Sequence, residues 1–225
     1  MAHSNPIRIV DQRTPEDRDR SFLPGAGKSW LLPFYDAFTR LAGVRALHRR
    51  TVELAGVEPG QTVVDVGCGT GNLSFTVLAA QPSARVTGLD PDADALRRAA
   101  RKARRRNLSL ALVQGYADRI PADDAALDHV ISALALHHID DAGRIAFARD
   151  ALRALRPGGT ITIADFEGVK NAGHPARRRR LAHSGNHGNG IVTLLADAGF
   201  GDAQEVAHAD HRIGRVTFVQ ATLTG

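Results

Sequence analysis

Cysteine is almost absent from this sequence. Cys68 is the single one among 225 residues, which excludes an internal disulfide and makes a reducing, cytoplasmic compartment the simple expectation. No apolar run approaches the roughly 18 residues of a membrane-spanning helix. The first twenty residues are polar and charged, without the apolar core of a signal peptide. Aromatics make up 5% of the chain, leaving few rings on which nucleic-acid bases stack. Lysine is scarce too: Lys28, Lys102 and Lys170 are the three, and the other basic residues are arginine. A formal net charge of +5 and a pI of about 10.1 raise nucleic acid as a partner. The arginine-for-lysine usage and abundant alanine resemble the coding bias of a GC-rich genome, however, and with the sparse aromatics they argue against that partner. What is present is the material of one globular domain, 43% hydrophobic and 24% charged.

The chemistry concentrates in Val63-Val64-Asp65-Val66-Gly67-Cys68-Gly69-Thr70-Gly71-Asn72. An apolar β-type run holds an acid and then breaks into glycines at alternate positions. Glycine permits a tight turn and close ligand approach. The helical pattern from Asn72 puts the loop between a strand and a helix N-terminus, where nucleotide-like ligands bind in open α/β sheets. A dinucleotide fingerprint requires Gly-x-Gly-x-x-Gly/Ala. Counted from Gly67 the third small position is Asn72, and counted from Gly69 it is Ser74, so neither frame fits and a nicotinamide oxidoreductase is disfavoured.

Along the chain, residues 1–20 read as a mobile arm and 21–58 as a helical cap with helices over 31–42 and 45–55. Residues 59–225 read as one α/β domain, with 166–189 as a substrate-lid segment. Strand patterns at 61–66, 84–89, 108–113, 127–134 and 159–165 alternate with helix patterns at 71–80, 92–106, 140–155 and 188–198. That alternation predicts a mostly parallel, Rossmann-like sheet covered on both faces. Gln204–Arg212 and Arg215–Leu223 predict a closing antiparallel hairpin linked near Gly214.

Gly-x-Gly-x-Gly with Asp65 two residues ahead resembles motif I of the class I S-adenosylmethionine (SAM)-dependent methyltransferases. The resemblance covers roughly residues 60–166. It implies a seven-stranded sheet of order 3-2-1-4-5-7-6 and SAM as cofactor, with S-adenosylhomocysteine as its product. In that family the motif I acid and loop, here Asp65, Gly67, Cys68, Gly69 and Gly71, hold the aminoacyl part of SAM. Asp90 ends the second strand 19 residues after Gly71, a spacing that suits an acid accepting from a ribose diol. Pro91 follows it and opens the next helix, so an N-cap role is also open to Asp90. Ala117 and Asp118, after the third strand, match the positions that meet the adenine edge, although Tyr116 stands where the family often has an acid. Ser132 matches the strand-four end that contacts the methionine part. The motif Leu136-His137-His138 is frequent in small-molecule members similar to the ubiquinone and menaquinone methyltransferases, and Leu155-Arg156-Pro157-Gly158-Gly159 is a further family mark. Residues around Trp30 and Tyr35 look like the family's N-terminal cap, from which Tyr35 reaches the SAM carboxylate.

The expected reaction is in-line methyl transfer to a small-molecule acceptor. A general base is needed only where the nucleophile must lose a proton. Histidine suits that task, and His137 and His138 are preferred over His183 and His187. A metal site from His137, His138, Asp140 and Asp141 is disfavoured, because adjacent histidines at a strand end point apart. Pyrimidine C5 methylation needs a nucleophilic cysteine, and Cys68 is committed to the loop. No Asn/Asp-Pro-Pro-Tyr/Phe motif grips a flipped adenine after strand four. The arginine clusters at 97–106 and 177–180 leave an RNA or protein methyltransferase as one alternative. A non-catalytic SAM-binding interaction module is another.

Overall fold

The computed structural model describes residues 7–18, 20, 43–167, 186, 188–211 and 214–224. In chain order these form β1 (Ile9–Asp11), α1 (Pro15–Arg18), α2 (Val44–Ala55), β2 (Thr62–Val66), α3 (Asn72–Ala80), β3 (Arg85–Asp90), α4 (Ala93–Arg105) and β4 (Ala111–Gln114). There follow β5 (Leu127–Ala133), a 3-10 turn (Leu136–His138), α5 (Asp141–Ala154), β6 (Leu155–Phe166), α6 (Gly190–Ala198), β7 (Gln204–His211) and β8 (Gly214–Thr222). The expected helix over 31–42, Tyr35, His183, His187 and Arg177 to Arg180 lie outside the described residues.

All eight strands join one sheet of order β1-β4-β3-β2-β5-β6-β8-β7. Strands β1 to β6 pair in parallel, and β8 runs antiparallel to both β6 and β7. Without β1, and renumbered from β2, the order is the expected 3-2-1-4-5-7-6. Successive residues of a strand point to opposite faces, and here both faces are buried. Val64, Val66 and Val130 face a core shared with α5 and α6, while Val63 and Ile131 face one shared with α2, α3 and α4. This is why the strands read as continuous apolar runs.

One expectation changes. The arm over 1–20 was expected to be mobile, yet within it Ile9 to Asp11 pair in register with Leu112 to Gln114 and add an eighth, edge strand. Helix α5 stops at Ala154, and the strand after it starts earlier than its pattern at 159–165: Arg156 to Gly159 bulge opposite Asp128 between the pairs Leu127–Leu155 and His129–Thr160. A Cβ on Gly159 would lie 2.9 Å from the carbonyl oxygens of both Leu127 and Arg156, so only glycine lets the bulge close onto β5.

Candidate active site

Because β2 to β6 are parallel, their C-terminal ends share one edge. Asp65, Asp90, Gln114, Ser132 and Asp165 all lie in the last few residues of their strands. Ligand crevices of open α/β sheets form at this edge.

The glycine loop after β2 is wound by its own backbone. Gly67, Gly69 and Gly71 have φ of 74°, 52° and 79°, in the left-handed region. The N–H groups of Gly67 and Cys68 both donate to Leu89 O (2.8 and 3.1 Å), and Gly71 N–H donates to Cys68 O (2.8 Å). Gly69 N–H donates to Asp90 Oδ2 at 2.8 Å. A phosphate-binding loop keeps such groups for its anion. In this loop four of them are engaged by the protein, and two buried carboxyls stand beside it. That donor set repels a pyrophosphate and suits a ligand carrying a sulfonium, an ammonium and a diol. A Cβ on Gly69 would meet nothing within 4 Å, so the loop's outer face is open to a ligand.

The side chains expected to touch cofactor divide into those that face the crevice and those that build its walls. Asp65 is 1% exposed, and its Oδ2 accepts from Ser74 N–H (3.0 Å) and Ser74 Oγ–H (2.5 Å), tying β2 to the first turn of α3. Cys68 turns its thiol inward beneath Gly88, where a Cβ would come within 2.8 Å of Sγ. Burial first, then Asp90 and Asp65, hold the thiol well above its ordinary range, so it is no nucleophile. Ser132 Oγ–H donates to Val66 O (2.9 Å), stitching β5 to β2. Asp90 uses Oδ1 for Asp92 N–H and Oδ2 for Gly69 N–H, both at 2.8 Å. The N-cap role open to Asp90 falls to Asp92, whose side chain accepts from Asp94 and Ala95. Gln114 donates to Pro91 O (3.0 Å), fixing the turn after β3. Ala117 packs at the edge of the core, and Asp118 forms an ion pair with Arg20.

Burial acts first on both loop acids. It pushes Asp65 up to about 7 against the pull of Ser74, and Asp90 up to about 6 against the backbone donors of Asp92 and Gly69. Folded Asp65 therefore holds its proton to higher pH than the unfolded chain, whose value is 3.8. Stability from this position falls as pH rises from about 4 to about 7. Asp65→Asn keeps an acceptor for Ser74 and removes the titration. Urea unfolding at several pH values is expected to show a stability gap that widens in the variant's favour across that window. A flat gap would contradict the burial argument.

Past β5 the chain makes an unusual turn. Leu134 is left-handed at φ 57°, with its N–H on Ala164 O (2.8 Å). The turn sets Ala135 so close to Gly67 that a Cβ on the glycine would lie 2.3 Å from Ala135 Cβ. It then delivers His137 to Asp165, an acid that sequence reasoning missed. His137 Nδ1 lies 2.6 Å from Asp165 Oδ1, and His137 N–H donates to Asp165 Oδ2 (3.1 Å). Asp165 is fully buried and also accepts from Phe166 N–H at Oδ1 (2.7 Å), so both of its oxygens already accept backbone N–H groups. The tautomer that completes this set carries its proton on His137 Nδ1 and leaves the lone pair on Nε2. Desolvation lowers the basicity of His137, but Asp165 outweighs it and the pKa is raised. The His138 ring lies against that of His137, with centroids 4.0 Å apart and the planes tilted by 42°. Arg144, buried at the start of α5, donates to Asn186 and is electrostatically coupled to Asp165. His129, by contrast, is held between Thr160 Oγ1 and Gln61 Oε1 (2.8 and 2.7 Å), a structural role.

Several arginines in and just after α4 are used by the fold. Arg97 pairs with Asp94, Arg104 donates to Ile7 O, and Arg106 lies 4.8 Å over the Phe75 ring. Among the described residues, no group of three or more His, Cys, Asp or Glu gathers in a metal-holding arrangement. No helix there is long and apolar enough to cross a membrane.

A family model described as a methyltransferase domain matches residues 63–159, the span from β2 to the bulge of β6. Over that span the chain is similar to a methyltransferase domain. It is 33% identical over 157 residues to 27-O-demethylrifamycin SV methyltransferase of Amycolatopsis mediterranei, covering 67% of this chain and 56% of that protein. It is 30% identical over 141 residues to demethylmenaquinone methyltransferase of Thermus thermophilus, covering 61% and 63% respectively. The chain thus spans a little over half the length of these relatives. The methyltransferase fold is matched in a Haemonchus contortus phosphoethanolamine N-methyltransferase 2 solved with S-adenosyl-L-methionine, at a TM-score of 0.66 and 14% identity, over 80% of this chain and 53% of that one.

Proposed function

We propose that this chain is a SAM-dependent methyltransferase that methylates a hydroxyl group of a small organic molecule. The observation that carries the cofactor half is the glycine loop, whose N–H groups at 67, 68, 69 and 71 are consumed by Leu89, Asp90 and Cys68 rather than kept for phosphates. In this reading Asp90 accepts from the ribose diol, Asp118 meets the adenine edge, and the chain past Ser132 lines the methionine part. Tyr35 belongs to the same reading, as a cap residue over the SAM carboxylate. Bound there, SAM supplies a methyl group on a sulfonium whose sulfur leaves with the bonding electron pair.

The acceptor half rests on His137 and Asp165. The lone pair on His137 Nε2 takes the acceptor's hydroxyl proton as the oxygen bonds to the methyl carbon, and Asp165 stabilises the imidazolium that results. His138, lying against His137, orients the ring. A relative whose name gives 27-O-demethylrifamycin SV as its substrate supports oxygen as the atom methylated and a metabolite as the acceptor. The test is calorimetric titration with S-adenosylhomocysteine and, separately, with NAD. Binding of the first and none of the second is expected, and the reverse would overturn the proposal. Affinity for an RNA that collapses with salt would instead favour the polymer alternative.

A further inference from the structure

The segment expected to be a mobile arm closes over the loop that follows β4, and it does so with specific groups. Strand β1 pairs along β4, and Gln12 N–H continues the ladder to Gln114 O at 2.9 Å. Gln12 Nε2 donates to Arg119 O (3.1 Å), and Arg119 reaches back to Asp17 (3.3 Å). Tyr116, the residue that departs from the family pattern, lies with its hydroxyl 2.7 Å from Arg20 O and 3.3 Å from Asp17 O. The Arg20 guanidinium rests on the Tyr116 ring, 4.4 Å from its centroid, and donates from Nη1 to Asp118 Oδ2. Its Nη2 sits at the first turn of α5, 3.4 Å from where a Cβ on Gly143 would be. One side chain thus spans from the loop after β4 to the helix after β5, across the end of the crevice where Asp118 stands.

We infer that Arg20 is a positioning residue of the adenine subsite and sets the chain's preference for a 6-amino purine. The inference rests on the reading of Asp118 given above. Arg20 acts on Asp118 through geometry. Its guanidinium occupies Oδ2 and leaves Oδ1 as the oxygen that can accept from a base. A fixed acceptor there welcomes the exocyclic amine of adenine and repels the carbonyl oxygen of hypoxanthine, since two acceptors face each other with no proton between them. A site built to hydrogen-bond a polar group discriminates far more strongly than one that merely fits a shape. Without Arg20 the carboxylate loses its fixed orientation, and its acceptor is no longer held against the position of the hypoxanthine oxygen.

The experiment measures dissociation constants of the full chain for S-adenosylhomocysteine and for its deaminated analogue S-inosylhomocysteine. Arg20→Met keeps the apolar stem over Tyr116 and removes the charge. The ratio of the two constants is expected to fall by about tenfold in that variant, the scale of one charge-assisted hydrogen bond. Tyr116→Phe loosens the segment without touching either charge and is expected to lower the ratio by about threefold. Asp118→Asn separates the two layers of the argument. Loss of discrimination there with full discrimination in Arg20→Met overturns the role of Arg20 alone. Full discrimination in Asp118→Asn overturns the reading of Asp118, and the role of Arg20 falls with it. Equal weakening of both ligands in Arg20→Met marks a merely structural contact and also overturns the inference.

Discussion

Replacing Gly67 with alanine is expected to weaken S-adenosylhomocysteine binding by about 10²-fold or more and to destabilise the fold by about 2–5 kcal/mol. Two costs add at this position. At φ 74° an L side chain is strained by about 1–2 kcal/mol. The larger cost is steric, because the new Cβ would stand 2.3 Å from Ala135 Cβ, well inside van der Waals contact. Neither side yields easily. Gly67 and Cys68 are both bonded to Leu89 O, and Ala135 follows the left-handed Leu134, whose N–H is bonded to Ala164 O. Relief of the clash therefore shifts the glycine loop itself, and a shift of about 1 Å at such a site costs about 10²-fold. Gly69 is the internal control: it shares the positive φ, but a Cβ there meets nothing within 4 Å. Gly69→Ala is expected to carry only the backbone strain. The double variant Gly67→Ala, Ala135→Gly removes the clashing methyl and is expected to recover most of the lost affinity, leaving the φ cost behind. Calorimetry and urea unfolding of the four proteins test the ordering. Single Gly67→Ala behaving like Gly69→Ala would refute the steric account.

Which features were legible in the sequence follows from how far apart the interacting residues lie. Strand–helix alternation is local, and it implies a mostly parallel sheet covered on both faces, while the strand order came only with the family resemblance. The glycine loop is local too, since positive φ and alternate glycines imply each other within five residues. Strand β1 was missed because three residues, Ile9 to Asp11, are too few to show an alternation, and they sit in a polar stretch. Its reality depends on an open edge of β4, which no local pattern announces. The Arg20–Asp118 pair joins residues 98 apart, so its sequence sign was indirect: a tyrosine at 116 where the family often has an acid. Asp65 and Ser132 lie near the ends of their strands, but their side chains serve neighbouring elements, a distinction that only hydrogen-bond partners reveal. Asp165 could have been found. It ends a buried strand at the edge where Asp65 and Asp90 were already assigned, and a charge at such a position needs a partner.

That partner makes Asp165→Asn the second large effect. Turnover is expected to fall by about 10²–10⁴-fold with cofactor affinity little changed. The carboxylate holds His137 through two contacts, 2.6 Å to Nδ1 and 3.1 Å to the backbone N–H. An asparagine keeps the shape but can present its amide to Nδ1. It then stabilises the tautomer with the proton on Nε2, the wrong end for taking one from the acceptor. The pH profile separates this from simple loss of packing. Burial opposes charge on His137, yet Asp165 raises its pKa above the ordinary 6.5. Since the base must be neutral, wild-type rate is expected to climb with pH through a value above 6.5. Removing the carboxylate's charge leaves desolvation unopposed, so the rising limb of Asp165→Asn moves to lower pH while its plateau drops. His137→Ala removes the titrating group, and its residual rate loses that limb altogether. If Asp165→Asn instead keeps the wild-type limb at reduced height, proton transfer to His137 is not what the pair provides. Its function would then be to hold the turn from Leu134 to His138 against the glycine loop.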